Sequence, residues 1–166
     1  VQSMKGSISG NEYIASFYSN DGEKFMTMHG ERIDLSPNTV REYDYVDGGY
    51  NKVLSSVVTI TIDGKEVENC GSTAIFAEEG LKPDVDFTMN NIKNINSTFV
   101  AGIVNKYKNM FGKSRVVVIQ SQLGDPICAY SGDSVFYEVC EDLPKTTKLS
   151  VDGKALYIHR ANFQII

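Results

Sequence analysis

The chain has 166 residues, a formal net charge of −5 at pH 7 and a pI near 5.0. That length suits one domain with a core large enough to do without disulfides, and a single domain spanning residues 1–166 is expected. An acidic balance with no Lys/Arg run offers no positive field to a phosphate backbone, which argues against nucleic acid as a partner. No apolar stretch approaches the roughly 20 residues a bilayer-spanning helix needs.

Nine Tyr and eight Phe without Trp, among abundant Gly, Ser, Thr and Asn, suit strands and turns. Three Asp-Gly pairs stand between runs of alternating apolar and polar residues, at Asp21-Gly22, Asp63-Gly64 and Asp152-Gly153. Asp-Gly marks a two-residue hairpin, because the turn that matches strand twist needs positive φ, which Gly adopts freely and Asp tolerates.

In chain order, Gly6–Gly10 forms a short strand leading into the first hairpin. A two-residue loop at Asp21-Gly22 pairs Tyr18 with Phe25 and Phe17 with Met26, placing Tyr13, Ala15, Phe17, Met26 and Met28 on one face. Ser36–Lys52 and Glu78–Ser97, rich in Gly, Pro, Asp and Asn, read as long irregular loops. Between them the second hairpin puts Val58, Ile60, Ile62 and Val67 on one face. Ser72–Phe76 is a further strand.

Phe99–Phe111 carries the one helical pattern, with Phe99, Ile103, Tyr107 and Met110 at spacings of three and four, and Asn105, Lys106, Lys108 and Asn109 opposite. Arg115–Ile119 is apolar after its first residue, as in a strand covered on both faces at the centre of a sheet. Ile127–Tyr130 and Val135–Val139 flank a turn at Ser131–Ser134 and read as a further hairpin. The last hairpin puts Leu149, Val151, Leu156 and Ile158 on the core side. After Arg160 the apolar parity switches, which signals a bulge or the end of pairing. The expected fold is mainly β, an antiparallel sandwich or partly open barrel with one packed amphipathic helix; α+β is the alternative.

Chemical motifs are sparse. Gly132-Asp133-Ser134 resembles the opening block of a serine esterase, but position 156, three before His159, is Leu where the matching acid would stand. The triplet reads as turn chemistry. His29 and His159 read as structural, and Cys70, Cys128 and Cys140 lack the spacing of a zinc site. No cofactor or metal is expected. Cys128 and Cys140 are read first as small buried thiols and second as a disulfide. The acidic loop Glu42–Tyr50 departs from an EF-hand's ligand spacing. It concentrates Tyr43, Asp44, Tyr45, Asp47 and Tyr50, which form the candidate binding surface, since tyrosine supplies rigid area plus a hydroxyl. The blander expectation is a solvated loop with its tyrosines packed back on the sheet.

The segments Gln2–Gly10, Asn105–Gly112, Ser121–Cys128 and Asp142–Lys148, with Asp152–Ile166, give the whole chain a resemblance to a family of uncharacterised Gram-positive surface lipoproteins, itself a domain of unknown function. The resemblance implies an exported precursor with a lipidated Cys just before Val1, and the absence of an initiator Met fits a processed or trimmed chain. It carries no catalytic residues. The function expected is a binding or interaction module at the cell envelope, facing an envelope protein or glycan and reaching the membrane only through a lipid anchor outside this chain. A hydrolase with a non-motif active site and a structural envelope protein are the alternatives.

Overall fold

The computed structural model describes residues 6–88, 102, 105, 109, 112–140, 143 and 145–166. Among them, twelve strands form two antiparallel sheets packed as an open sandwich. They are β1 Gly6–Tyr18, β2 Lys24–Asp44, β3 Gly49–Ile62, β4 Lys65–Cys70, β5 Thr73–Glu78, β6 Val85–Asp86, β7 Arg115–Gln120, β8 Pro126–Gly132, β9 Val135–Val139, β10 Thr146–Val151, β11 Lys154–His159 and β12 Asn162–Ile165. The large sheet runs β4-β3-β2-β1-β5-β11-β10-β9, and the small one runs β12-β7-β8-β6.

Strand alternation explains how the large sheet buries both faces. Along β5, Ala74 and Phe76 join one cluster with Ala15, Phe17, Leu35, Val58, Ile60, Ile62 and Leu143. Ile75 and Ala77 point the other way, into the inter-sheet core with Val117, Ile119, Ile127, Leu149, Leu156 and Ile158. The pattern of β5 is accordingly buried from Thr73 to Ala77. Val116–Ile119 of β7 is buried throughout as well, at an inner position of the small sheet.

Two of the three Asp-Gly turns are as the sequence predicts. Asp63 and Asp152 take φ of 47° and 48°, followed by Gly64 and Gly153 at 79° and 84°, and the flanking pairs are Ile62↔Lys65 and Val151↔Lys154. Val58, Ile60, Ile62 and Val67 share the first cluster, and Leu149, Val151, Leu156 and Ile158 the second. The first Asp-Gly differs. Phe17 pairs with Met26 as expected, but Tyr18 pairs with Lys24 rather than Phe25, and Ser19–Glu23 form a wider loop. Contacts made by that loop account for the change: Ser19 donates its N–H to Glu23 O, its hydroxyl bonds the Asp21 carboxylate, and Leu123 N–H reaches Asn20 O at 3.3 Å. Docking onto the β7–β8 loop overrides the local turn preference.

Two further expectations are corrected, and a third is made specific. Ser36–Lys52 is strand, turn and strand rather than irregular loop, because β2 and β3 pair through Asp44↔Gly49. The proposed Ile127–Tyr130/Val135–Val139 hairpin is absent: β8 pairs with β7 and β6, whereas β9 pairs with β10. The chain changes sheets at Asp133-Ser134, where both N–H groups donate to Asp152 Oδ1 at 2.9 Å. The parity switch after His159 is a second change of sheet, with Arg160 at φ 54° and β12 joining β7. Most of the Phe99–Phe111 helix lies outside the described residues; Gly102, Asn105 and Asn109 are helical and exposed.

Candidate functional site

Beyond Leu35 and Val57, the last residues with described partners in β1 and β4, strands β2 and β3 pair only with each other among the described residues. They form a two-stranded ribbon from Pro37 to its turn, about 25 Å long at roughly 3.3 Å per residue. From Thr39 to Lys52 every residue except half-buried Asp44 is exposed.

The turn is built by Asp44. Its Oδ1 accepts the N–H groups of Val46 at 2.8 Å and Asp47 at 3.2 Å, its Oδ2 accepts Asn51 Nδ2 at 3.2 Å, and its carbonyl accepts Gly48 N–H at 3.0 Å. The two backbone donors hold its carboxyl below the ordinary value. Gly48 and Gly49, at φ 68° and 145°, supply conformations that side chains resist. Asp47-Gly48 is in fact a fourth Asp-Gly, and it signals a hairpin in the sequence as the other three do.

This turn gathers the candidate tyrosines. Tyr43 and Tyr50 are a cross-strand pair with ring centroids 5.3 Å apart, and Tyr45 meets Tyr43 at 5.0 Å; both contacts are edge-to-face, at 70° and 81°. The rings pack on one another rather than back onto the sheet, and Tyr45 stays 90% exposed and Val46 91%. Of the five residues singled out, the tyrosines form the surface, Asp44 organises the turn that holds them, and Asp47 lies exposed at the apex.

Arg41 and Lys52 were not singled out by the sequence. They are directly opposite each other, two pairs inward of Tyr43 and Tyr50 with Glu42↔Asn51 between, so all four share a ribbon face. Neither makes an ion pair or side-chain hydrogen bond among the described residues. Strand parity puts Glu42 and Asp44 on the reverse face. Their pairing depends on the β2–β3 register, which an irregular loop over this segment would not carry.

The histidines do not converge. His159 is buried in β11, where its Nδ1 bonds Thr146 Oγ1 at 2.9 Å, and it pairs with Ala74. Ala74 pairs in turn with Phe17, which puts His159 on the Phe17 face. His29 alternates with Met28 of that same cluster and so faces the other way, three strands distant. It lines a groove of about 240 Å³ with Glu12, Glu31, Asp63 and Glu79. Gly30 also lines it, with its missing side chain on the core side, where a Cβ would come 2.3 Å from Ile62 Cγ2. A hydrogen bond to Glu79, reinforced by the charge of that carboxylate, raises the pKa of Glu12.

The Gly132-Asp133-Ser134 triplet is spent on structure. Asp133 binds Ser114 N–H and Lys113 Nζ, both at 3.3 Å, and these hold its carboxyl below the ordinary range. Ser134 sits beside the Asp152-Gly153 turn, whereas His159 lies at the far end of β11, about 17 Å along the strand. The three cysteines are thiols rather than disulfide partners; Cys128 is buried in the inter-sheet core, and burial pushes its pKa far up.

The family model described as domain of unknown function (DUF5052) matches residues 1–166, and the chain belongs to that family. No curated protein and no solved structure matches it.

Proposed function

We propose that this DUF5052 domain is a binding module that presents the tip of the β2–β3 ribbon to a partner at the cell envelope. The observation that carries the reading is the edge-to-face tyrosine trio held at the end of an exposed ribbon by the Asp44-organised turn. Rings locked by one another lose little freedom on binding, and large exposed aromatic area is otherwise a liability that folding does not require. An extracytoplasmic, lipid-anchored location is supported by the sequence resemblance to surface lipoproteins. Fractionation of cells expressing the full precursor tests it.

The test of the module is Tyr43→Ser/Tyr45→Ser/Tyr50→Ser. With all three rings outside both core clusters, the variant should keep its thermal midpoint and lose retention on purified cell-envelope material. Equal retention by variant and parent removes the tip from consideration.

A second reading, a hydrolase at the His29 groove, has one observation in its favour: the groove gathers His29 with the carboxylate residues Glu12, Glu31, Asp63 and Glu79, residue types that serve as general acid and base. Turnover of ester or glycoside substrates that disappears in Glu12→Gln and in His29→Ala would replace the binding reading with this one.

A further inference from the structure

We infer that the ribbon face carrying Arg41, Lys52, Tyr43, Tyr50 and Tyr45 binds an acidic polysaccharide, its sugar rings lying on the tyrosines and its carboxylate or phosphate groups meeting the Arg41/Lys52 pair. The inference rests on the proposed role of the tip and names the class of ligand it takes.

Charge decides the first step. The chain is acidic overall, with a net −5, yet two cations stand directly across the ribbon from each other with no described counter-ion. Like charges in a cross-strand pair oppose folding. An anion placed between them turns that repulsion into two charge-assisted hydrogen bonds, and the guanidinium fork suits a carboxylate or phosphate. The same pair argues against reading the tyrosines as a cage for a quaternary ammonium ligand, which it would repel.

Shape decides the second step. The cations and the rings occupy one face in alternate cross-strand pairs, neighbours on that face, so a polymer lying along it meets charge and then aromatic area in sequence. A membrane would have to accept both faces of an inserted hairpin, including Glu42 and Asp44 on the reverse face and exposed Asp47 at the apex. A nucleic acid duplex carries one negative charge per about 1.7 Å of axis and is held by many phosphate contacts, whereas this face offers two cations. A peptide hot spot is usually seated in a pocket. The cavities at His29 and beside Phe136 lie elsewhere, and the tyrosines instead offer ring area with hydroxyls in reach of sugar hydroxyls.

The experiment measures binding of the full chain to polygalacturonate, to its methyl ester, to a phosphate-bearing polysaccharide, to polyglutamate and to anionic phospholipid vesicles, by affinity electrophoresis and titration calorimetry. Polygalacturonate or the phosphate-bearing polymer should bind, and the methyl ester at least about 10-fold more weakly, in keeping with loss of charge-assisted bonds. Arg41→Gln/Lys52→Gln should lower binding of the acidic polymer by about 10-fold or more and abolish its salt dependence, with an unchanged or raised thermal midpoint. Tyr43→Ser/Tyr45→Ser/Tyr50→Ser should weaken the charged polymer and its ester alike. Equal binding of polyglutamate would reduce the site to charge alone and overturn the sugar class, and vesicle binding above polymer binding would move the site to membranes. Full binding by Arg41→Gln/Lys52→Gln would also refute it. If the tyrosine variant loses envelope retention while the parent binds no acidic polymer, the ligand class fails and the tip survives; if that variant retains full binding to envelope material, both fail.

Discussion

Gly30 gives a quantitative test of the core beneath the ribbon. Its φ is not in the left-handed region, so an Ala there is resisted by space alone: its Cβ would lie 2.3 Å from Ile62 Cγ2, more than 1 Å inside ordinary contact. Ile62 is 2% exposed and packed among Tyr13, Leu35 and Ile60, so it cannot swing clear. Overpacking of this kind costs about 1–3 kcal/mol, and the backbone entropy Ala removes from the unfolded chain returns about 0.4–1. Gly30→Ala should therefore destabilise by a net of about 1.3 kcal/mol and at most about 2.6, or about 3–5 °C in Tm at the central value for a chain of this size. Ile62→Ala alone should cost about 2–5 kcal/mol for its cavity. In the double variant the new methyl enters space that Ile62 Cγ2 has left, so the combined loss should fall at least about 1 kcal/mol short of the sum. Urea unfolding followed by far-ultraviolet circular dichroism measures all four corners of the cycle, with a constant m-value as the control. Additivity within about 0.5 kcal/mol would refute the contact.

Two other outcomes are expected. Gly64→Val should destabilise by about 1 kcal/mol or more although nothing lies within 4 Å of its Cβ, because the strain is in φ +79° itself; an unchanged urea midpoint would contradict the turn. Burial, followed by the charges of Tyr157 and Glu78, pushes Tyr13 up to about 12 from an ordinary value of 10.0. The unfolded chain ionises first, so the stability tied to the neutral phenol is complete below about pH 10 and is lost as pH rises towards about 12. Burial raises Tyr18, Tyr130 and Tyr157 too, which adds to the same alkaline slope. Denaturant midpoints that stay flat from pH 9.5 to 11.5, as a scan in about half-unit steps would show, would contradict that burial.

What was legible in the sequence is what local physics fixes. Asp63-Gly64 and Asp152-Gly153 close tight turns because both residues of each pair take the positive φ the turn needs, and the contacts their carboxylates make leave that backbone intact; the two-residue period then assigns Val58, Ile60 and Ile62 to one face without knowledge of any partner strand. The same logic failed where a distant segment intervenes. Asn20 and Gly22 sit against Leu123 and Asp125, about a hundred residues later in the chain, and the contact widens the loop. Likewise β8 and β9 look like a hairpin because their connection is short. Yet Asp152 takes up the N–H groups of Asp133 and Ser134 at the moment the chain leaves one sheet for the other, and no local signal encodes that partner.

The site was half legible for a related reason. Tyrosine density pointed to residues that the structure gathers at one exposed tip, but an irregular loop over Ser36–Lys52 would not carry the register that sets Arg41 against Lys52 and Tyr43 against Tyr50. Judged as folding, that stretch breaks several local rules together. A two-stranded ribbon is marginal on its own in water, like charges oppose each other across it, and its aromatic residues face solvent rather than core. Each departure costs stability, and none is compensated by burial within the described chain. A sequence consistent with its fold elsewhere concentrates such conflicts where selection acts on something other than folding. One added ligand with sugar rings and negative charge would resolve two of them at once, covering the tyrosines and separating the cations. That economy is why the tip, rather than the carboxylate groove around His29, carries the functional reading.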